Sequence, residues 1–223
     1  MAAALSNASQ KEVRMKISCH KLGKRFNRDW IFRNFTYDFF ASQSYAITGA
    51  NGSGKSTLLQ VIAGSIASSE GSVEYSRLNG SNKSIIAAED AFQQLSIAAP
   101  YLEVVEEMTA TEFFGFHQNF KPFSPGWDTA KIISHVGLEK AANKQIRYYS
   151  SGMKQRVKLA QAIFSDVPAV LLDEPATNLD EEGIQLYKDL IENYCKNRLV
   201  IISSNDKEEY SFCSESINML NYK

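Results

Sequence analysis

The segment from Gly49 to Ser56 has the composition and spacing of a phosphate-binding loop, G-x-x-x-x-G-K-S. In such a loop the glycines let successive backbone N–H groups turn inward around a phosphate, and the lysine brings a positive charge to it. The hydroxyl of Ser56 is placed to ligate Mg²⁺. The pattern predicts a nucleoside triphosphate site, against the alternative of a chance glycine-rich turn. The predicted binding residues are Gly49, Ala50, Asn51, Gly52, Ser53, Gly54, Lys55, Ser56 and Thr57.

Asp173 and Glu174 are adjacent acids at the carboxyl end of the apolar run Ala169–Asp173. Ligands of open α/β sheets gather at that end of the strands. An acid there can hold Mg²⁺ opposite Ser56, and the next carboxylate can orient or deprotonate an attacking water. A solvated turn is the alternative for two adjacent acids, but the upstream loop favours the metal-binding and catalytic roles.

A second anion site is indicated by Tyr149-Ser-Ser-Gly-Met153, which precedes a predicted helix. Ser150 and Gly152 offer a hydroxyl, backbone N–H groups and a helix N-terminus. For this segment alone, a plain helix cap by Ser150 or Ser151 is the simpler interpretation. One nucleotide does not easily fit between two helix N-termini of one small domain, so the second site would serve a nucleotide bound by another copy.

Hydrophobic patterning predicts the elements that position these groups. A buried strand is expected at Ser44–Thr48, ahead of the phosphate loop, with a helix at Ser56–Ala63 behind it. The apolar runs Ala169–Asp173 and Leu199–Ser203 alternate with helices, which predicts a parallel sheet covered on both faces. Other expected elements are strands at Met15–Cys19, Trp30–Phe40 and Gly71–Tyr75, and helices at Ser151–Ser165 and Gly183–Cys195.

The middle of the chain, from about Glu103 to Asn143, has a helical character. Thr109 with Glu112 three residues later forms a capping-box pattern, and Asp128 is placed to cap a second helix. Lys121-Pro-Phe-Ser-Pro-Gly126 interrupts the two. We therefore expect a helical subdomain over about 103–148, inserted into one domain that spans 13–223.

Composition narrows the class of protein. The chain has 223 residues, 44% of them hydrophobic, and a net charge of −1, which is typical of one globular domain without a basic surface for nucleic acid. The three cysteines and three histidines show no spacing typical of a metal site or a disulfide framework. Residues 1–12 are expected to form a flexible tail. No apolar run approaches the roughly 20 residues that cross a bilayer.

Four motifs, in their order and spacing, resemble those of the ATP-binding cassette (ABC) family. They are Gly49–Ser56, Tyr149-Ser-Ser-Gly-Met-Lys-Gln-Arg156, Leu172-Asp-Glu-Pro175 and Ala176-Thr-Asn-Leu-Asp180. The resemblance covers nearly the whole chain and is strongest to single-cassette subunits that pair with separate membrane proteins. It implies an α/β phosphate-loop NTPase core of the RecA-like kind, with an antiparallel β portion and an inserted α-helical subdomain.

The resemblance also implies roles for individual residues. Phe26 matches the aromatic residue that stacks on adenine, although a core phenylalanine is the alternative. Ser150 and Gly152 match signature positions that contact the γ-phosphate across a head-to-tail dimer, and Asp180 matches the loop that links the two sites. Asn205 stands where the family has a histidine, and its amide can still donate to the γ-phosphate.

The chain also departs from the family pattern. The signature has Ser151 and Met153 in place of a glycine and a glutamine. The family has a glutamine after the strand that enters the helical subdomain. Here that position is near Pro100 or Tyr101, and neither side chain can act on Mg²⁺ and water as a glutamine would. Glu103 could substitute for it, whereas Gln93 or Gln94 would need a shift of register.

The function implied is ATP hydrolysis, with ATP and Mg²⁺, that drives a transporter. The expected partners are a second cassette, identical or paralogous, and a separate integral-membrane permease that contacts the segment from Glu103 to Phe120. The chain would then be cytoplasmic, peripheral on the inner face of the cell membrane. The alternatives are a weakly hydrolysing, ATP-gated regulatory cassette and a soluble ABC protein that acts on ribosomes or DNA.

Overall fold

The computed structural model describes residues 14–223, so the predicted tail at 1–12 lies outside the described residues. Two sheets and six helices make up the fold of this part of the chain. The strands are β1 Arg14–Phe26, β2 Asp29–Phe40, β3 Ser44–Thr48, β4 Glu70–Asn79, β5 Asn82–Ile86, β6 Leu95–Ala98, β7 Ala169–Asp173, β8 Leu199–Ser203 and β9 Glu215–Asn218. The helices are α1 Lys55–Ile62, α2 Ala110–His117, α3 Thr129–His135, α4 Ser151–Phe164, α5 Glu181–Tyr194 and α6 Lys207–Tyr210.

A five-stranded parallel sheet in the order β6-β7-β8-β3-β9 carries the predicted site at its carboxyl edge. The register places Asp173 of β7 beside Ser203 of β8, and Ile47 of β3 beside the same serine. The ends of β3, β7 and β8 therefore meet at one edge, and the loops that follow them are neighbours. The α/β fold class predicted from the alternation of strands and helices is confirmed.

Each face of the parallel sheet packs into a different part of the core. Along β7, Val170 and Leu172 join the cluster formed with α2 to α5, whereas Ala169 and Leu171 join the cluster formed with α1 and the antiparallel sheet. Side chains alternate between faces along a strand, so a strand buried on both sides has to be apolar throughout. This explains why β7 reads as an uninterrupted apolar run.

The second sheet is antiparallel, in the order β2-β1-β4-β5, and packs against α1. Its buried face is rich in aromatic rings, with Phe32, Phe35 and Phe39 fully buried along β2. Phe39 also packs edge-on against Tyr45 of β3, with ring centroids 5.0 Å apart. This contact ties the antiparallel sheet to the strand that leads into the phosphate loop.

Helices α2 and α3 lie between β6 and α4 and begin at the predicted caps. Thr109 and Glu112 form the reciprocal hydrogen bonds of a capping box, and the Asp128 side chain accepts from the N–H of Lys131. Within the segment of helical character expected from about Glu103, the first helix begins at Ala110, directly after the predicted cap Thr109. The capping box fixes this start, and the preceding residues form turns.

Two strand predictions ended too early, and two strands were not predicted. β1, expected at Met15–Cys19, runs to Phe26. β4 runs to Asn79 rather than ending near Tyr75, and it pairs with β5, which was not predicted. β5 is almost wholly exposed, so it carries none of the alternation that marks a half-buried strand. β9, also missed, has four residues. Within residues 14–223, no helix is long and apolar enough to cross a membrane.

Candidate functional site

The phosphate loop joins β3 to α1 through glycines in left-handed backbone conformations. Gly54 has a φ of 99° and begins α1 without any side chain to cap it. A Cβ atom at Gly54 would also lie 2.7 Å from the Ile31 side chain. A helix begun in this way leaves its first N–H groups available, and they favour a bound anion.

A cavity of about 310 Å³ lies over this loop, lined by Ile31, by 51–57 and by Glu174. Lys55 is only 4% exposed, and its Nζ donates to the carbonyl of Gly49 at 2.9 Å. Its ammonium group is therefore held inside the loop by backbone oxygens. A buried cation that is hydrogen-bonded to neutral carbonyl oxygens favours a negatively charged ligand.

Asp173 ends β7 at the floor of the site and is 2% exposed. Burial raises the pKa of its carboxyl group, while the hydroxyls of Ser203 and Ser56 and the charge of Lys55 act in the opposite direction. Its Oδ1 has no hydrogen-bond partner among the described residues. A buried carboxylate oxygen without a partner, beside the Ser56 hydroxyl, fits the oxygen ligand set that Mg²⁺ prefers.

Glu174 follows in a strained backbone conformation, with a φ of 43°. Its N–H donates to the carbonyl of Ser203 at 2.8 Å, which ties it to β8. A non-glycine residue in the left-handed region persists only where its surroundings hold it. Glu174 lines the same cavity as the phosphate loop, so the two halves of the predicted nucleotide site come together.

The predicted second anion site forms a separate cavity of about 320 Å³. Ser150, Gly152 and Asp180 line it, and no described residue lines both this cavity and that of the phosphate loop. The Ser150 hydroxyl accepts from the N–H of Met153 at 3.2 Å, so it is the N-cap of α4. Ser150 and Gly152 are therefore brought together, but away from the phosphate loop of the same chain.

Asp180 faces this second cavity as the N-cap of α5. It accepts from the N–H of Gly183 at 2.9 Å, and Arg156 of α4 lies 3.5 Å away. The hydrogen bond from Gly183 lowers the pKa of Asp180, and the Arg156 charge lowers it further. The contact with Arg156 links the start of α5 to α4.

Three comparisons with known proteins bear on this site. Residues 32–177 match the family described as ABC transporter, which is more than half of the chain. The chain belongs to the ABC transporter family. Members of this family are ATPases, so this ABC protein is an ATP-binding and ATP-hydrolysing subunit.

Related sequences align with most of this ABC ATPase. The uncharacterized ABC transporter ATP-binding protein YybJ of Bacillus subtilis (strain 168) is 31% identical over 206 residues, 89% of each chain. The cytochrome c biogenesis ATP-binding export protein CcmA of Agrobacterium fabrum is 29% identical and covers 85% of this chain and 88% of its own. An ATP-driven transport role is therefore supported at the level of the family.

Solved structures share the fold of the ABC ATPase. One described as an ATP-binding subunit of an ABC transporter has a TM-score of 0.75 and 21% identity, over 91% of this chain and 85% of its own. A bacterial Atm1-family ABC exporter with ATP bound has a TM-score of 0.74 and 18% identity. It is covered over 39% of its length, against 97% of this chain.

Asn205 and Phe26 were also assigned to the site of the ABC ATPase by resemblance. The Nδ2 of Asn205 donates to Oδ1 of Asn51 in the loop at 3.0 Å. Phe26 ends β1 and is 50% exposed, so the alternative of a core phenylalanine is wrong. The Nζ of Lys24 lies 4.9 Å from the centre of the Phe26 ring. Phe26 does not line the phosphate-loop cavity.

The segment that lacks the expected glutamine is also resolved. Ala98 of β6 pairs with Leu172 of β7, so the chain leaves the sheet beside Asp173. Partial burial raises the pKa of the Tyr101 hydroxyl, and the nearby Asp173 charge raises it further, although Tyr101 is 42% exposed and does not line the phosphate-loop cavity.

The residues considered as substitutes for the glutamine lie elsewhere in this ABC ATPase. Glu103 lines a different cavity, together with Lys158. Gln94 accepts from Arg77 of β4 at 2.7 Å, and Gln93 bonds Asp90. From the sequence, Tyr101 was discounted because a glutamine was expected at this position. The position of Tyr101 three residues after β6 was the available signal.

Proposed function

We propose that this ATPase subunit energises a membrane transporter as a head-to-tail dimer in which two chains enclose two ATP molecules. The observation that carries the proposal is the pair of cavities that share no lining residue, each at a helix N-terminus. In a head-to-tail pair, Ser150 and Gly152 of one chain would reach the ATP held by Lys55 of the other. Neither cavity alone surrounds a triphosphate with donors.

In each site, Lys55 and the N–H groups of the loop would bind the phosphates. Ser56 and Asp173 would hold Mg²⁺, since the Oδ1 of Asp173 is buried without a hydrogen bond. When bound, Mg²⁺ supplies positive charge for the oxygens that become more negative during phosphoryl transfer. Glu174 would orient the attacking water or take its proton. The exposed ring of Phe26 would stack on adenine.

The partners would be a second copy or a paralogous cassette, and a separate integral-membrane permease. Apolar side chains exposed over 102–120 favour a permease contact on this side of the chain. They are Leu102, Val105, Phe116 and Phe120, and Phe120 is 73% exposed. Binding there would hold the subunit peripherally at the cytoplasmic face of the membrane. The net charge of −1 offers no general attraction to nucleic acid.

The test is the solution molar mass of Glu174→Gln with and without ATP and Mg²⁺, together with its ATP turnover. Slowed hydrolysis should trap the closed dimer, so the mass should double only when ATP is present. We expect turnover to fall by on the order of a hundredfold or more, because the amide cannot act as a base. Equal turnover in the variant and the wild type would overturn the role of Glu174.

A weakly hydrolysing regulatory cassette is the second candidate. The neutral amide of Asn205 beside Asn51 and the absence of a glutamine at Pro100 favour it. Wild-type turnover no faster than that of Glu174→Gln, together with ATP-dependent dimerisation, would establish this alternative.

The membrane partner is tested by capture from detergent-solubilised membranes with the wild type and with Phe120→Ser. We expect the wild type to recover an integral-membrane protein and the variant to recover less of it. Recovery of ribosomes or DNA, without a membrane protein, would establish the soluble non-transport alternative instead.

A further inference from the structure

The peptide bond between Pro175 and Ala176 is held from both sides by buried side chains. Its carbonyl oxygen accepts from Nε2 of Gln155 at 2.7 Å. Its N–H donates to Oε1 of Glu209, also at 2.7 Å. Both polar atoms of a single peptide unit are thus bonded to side chains from distant parts of the sequence. This unit begins one residue after Glu174.

The two side chains that hold this peptide are buried polar groups. Gln155 is 4% exposed and Glu209 is 5% exposed. The second oxygen of Glu209, Oε2, has no hydrogen bond among the described residues. Burying an amide and a carboxyl group costs free energy that an apolar side chain of similar size would not. Their place in the core is therefore better explained by the peptide they hold than by packing.

Both side chains belong to elements that carry other parts of the proposed site. Gln155 lies in α4, one and a half turns after Ser150 at the N-cap. Glu209 lies in α6, which begins shortly after Asn205, and Asn205 bonds Asn51 of the phosphate loop. The Pro175–Ala176 peptide therefore connects α4 with the segment that contacts the loop.

This connection matters because Glu174 has a strained backbone conformation. Glu174 has a φ of 43°, and its own N–H is fixed to Ser203. On its carboxyl side, the carbonyl of Glu174 accepts from the N–H of Thr177 at 3.1 Å, and the peptide after that is the one held by Gln155 and Glu209. With the peptide before Glu174 fixed to β8 and the second peptide after it held from both sides, the surroundings hold the strained residue in its left-handed conformation.

We infer that Gln155 and Glu209 are positioning residues that hold Glu174 in place for hydrolysis by fixing the Pro175–Ala176 peptide. The inference rests on the proposed function, in which Glu174 acts on water. Neither side chain contacts the phosphate-loop cavity. Their loss would thus affect the chemical step and leave the affinity for ATP unchanged.

The test compares ATP turnover and the ATP dissociation constant of Gln155→Met and Glu209→Leu, each in the wild-type and the Glu174→Gln background. Both substitutions keep the side-chain volume and remove the hydrogen bond. We expect a fall in turnover of roughly tenfold in the wild type, because a displaced catalytic group loses its alignment. In the Glu174→Gln background we expect a change of less than about twofold, because there is no carboxylate left to position.

A conservative variant and a structural control complete the test. Glu209→Gln keeps an oxygen that can accept from Ala176, so it should recover most of the turnover lost in Glu209→Leu. Ser96→Ala removes another buried side-chain hydrogen bond, 2.6 Å to the carbonyl of Ala162, and should leave turnover unchanged. Thermal unfolding of each variant shows that the chain is folded.

The outcomes separate the inference from the function on which it rests. If Glu174→Gln does not lower turnover, the proposed role of Glu174 fails. If Glu174→Gln lowers turnover but Gln155→Met and Glu209→Leu match the wild type, the inference alone is wrong. Equal losses in both backgrounds would also overturn it, since they would mean a structural defect unrelated to Glu174.

Discussion

The first turn of α1 and the first turn of α4 each line a cavity, but they begin in different ways. α1 starts at Gly54, in a left-handed conformation and without a side-chain cap. α4 starts at Ser150, whose hydroxyl already accepts from the N–H of Met153. A helix start without a cap leaves its N–H groups to a ligand, whereas a capped start is satisfied in the isolated chain.

This difference indicates how binding is divided between the two cavities. The phosphate loop, with Lys55 and an uncapped helix, is built to hold an anion by itself. The Ser150 cavity has a capped helix, and its hydroxyl proton remains free to donate while its oxygen accepts. It is therefore suited to add a contact to a phosphate that is already held, as the proposed dimer requires.

The test with the largest expected effect removes the positive charge of Lys55 from the phosphate loop. Lys55→Ala should weaken ATP binding by roughly a hundredfold, or about 2.7 kcal/mol, because a buried charge that pairs with phosphate is lost. Isothermal titration calorimetry measures the dissociation constant. The control is Lys188→Ala, which removes a surface ion pair with Glu208 and should leave the affinity unchanged. A change of less than about threefold in Lys55→Ala would contradict the assignment.

The second test separates capping from phosphate contact at Ser150. Ser150→Asp keeps an N-cap acceptor, so stability should be retained, but its charge should repel the γ-phosphate and lower turnover by roughly tenfold or more. Ser150→Ala should lose about 1 kcal/mol of unfolding free energy as well. Denaturant unfolding and a turnover assay measure the two effects.

The control for Ser150 is the matched cap of α3. Asp128→Ala should cost a similar unfolding free energy and leave turnover unchanged. If Ser150→Asp hydrolyses ATP as fast as the wild type, then Ser150 is a cap alone and the comparison with α1 fails.

A third test concerns Asp173, whose ionised form is disfavoured by burial. Its pKa is raised in the folded chain, so its contribution to stability is present below the ordinary value of 3.8 and lost as the pH rises through the raised value. Without ligand at neutral pH, Asp173→Asn should raise the unfolding free energy by about 1 kcal/mol. The gain should vanish in acid, and the stabilisation by ATP with Mg²⁺ should be lost.

Thermal unfolding across pH, with Asp29→Asn as an exposed control, checks this prediction. A variant less stable than the wild type at neutral pH would mean that Asp173 stabilises the ligand-free fold. The metal-binding interpretation of its Oδ1 would then lose its support.

The smallest expected effect is at Asn205, whose amide donates to Asn51 from an exposed position. Asn205→Ala should lower turnover about threefold, in keeping with the loss of one neutral hydrogen bond. Asn205→His should raise turnover above that of the wild type, because an imidazole can also carry charge. A rate that is the same in all three chains would remove Asn205 from the site.

Much of the fold could be predicted from local sequence patterns, because tertiary packing does not override them. The capping box at Thr109 and the apolar runs at 169–173 and 199–203 were sufficient to predict where helices and strands begin and end. β5 could not be predicted, because its pairing with β4 comes from backbone hydrogen bonds and its side chains are exposed.

The motifs predicted which groups the site contains, but not which groups support them. That Gln155 and Glu209 bond the same peptide depends on how α4 and α6 approach the loop after β7, and no spacing in the sequence predicts that approach. Tyr101 comes near the Asp173 charge because β6 pairs with β7 in the parallel sheet. The residue type expected at this position was glutamine, so the tyrosine was discounted.

The backbone beside Gly152 explains why this position of the signature is a glycine. A Cβ atom at this position would lie 2.9 Å from the backbone carbonyl of Asn178, whereas Ser151 is exposed and Met153 is partly exposed. The positions on either side hold side chains in this fold, Ser151 at the surface and Met153 packed partly against the core. Any side chain at 152 would push away the loop that leads to Asp180. The glycine between Ser151 and Met153 is thus the position of the motif at which the fold itself excludes a side chain.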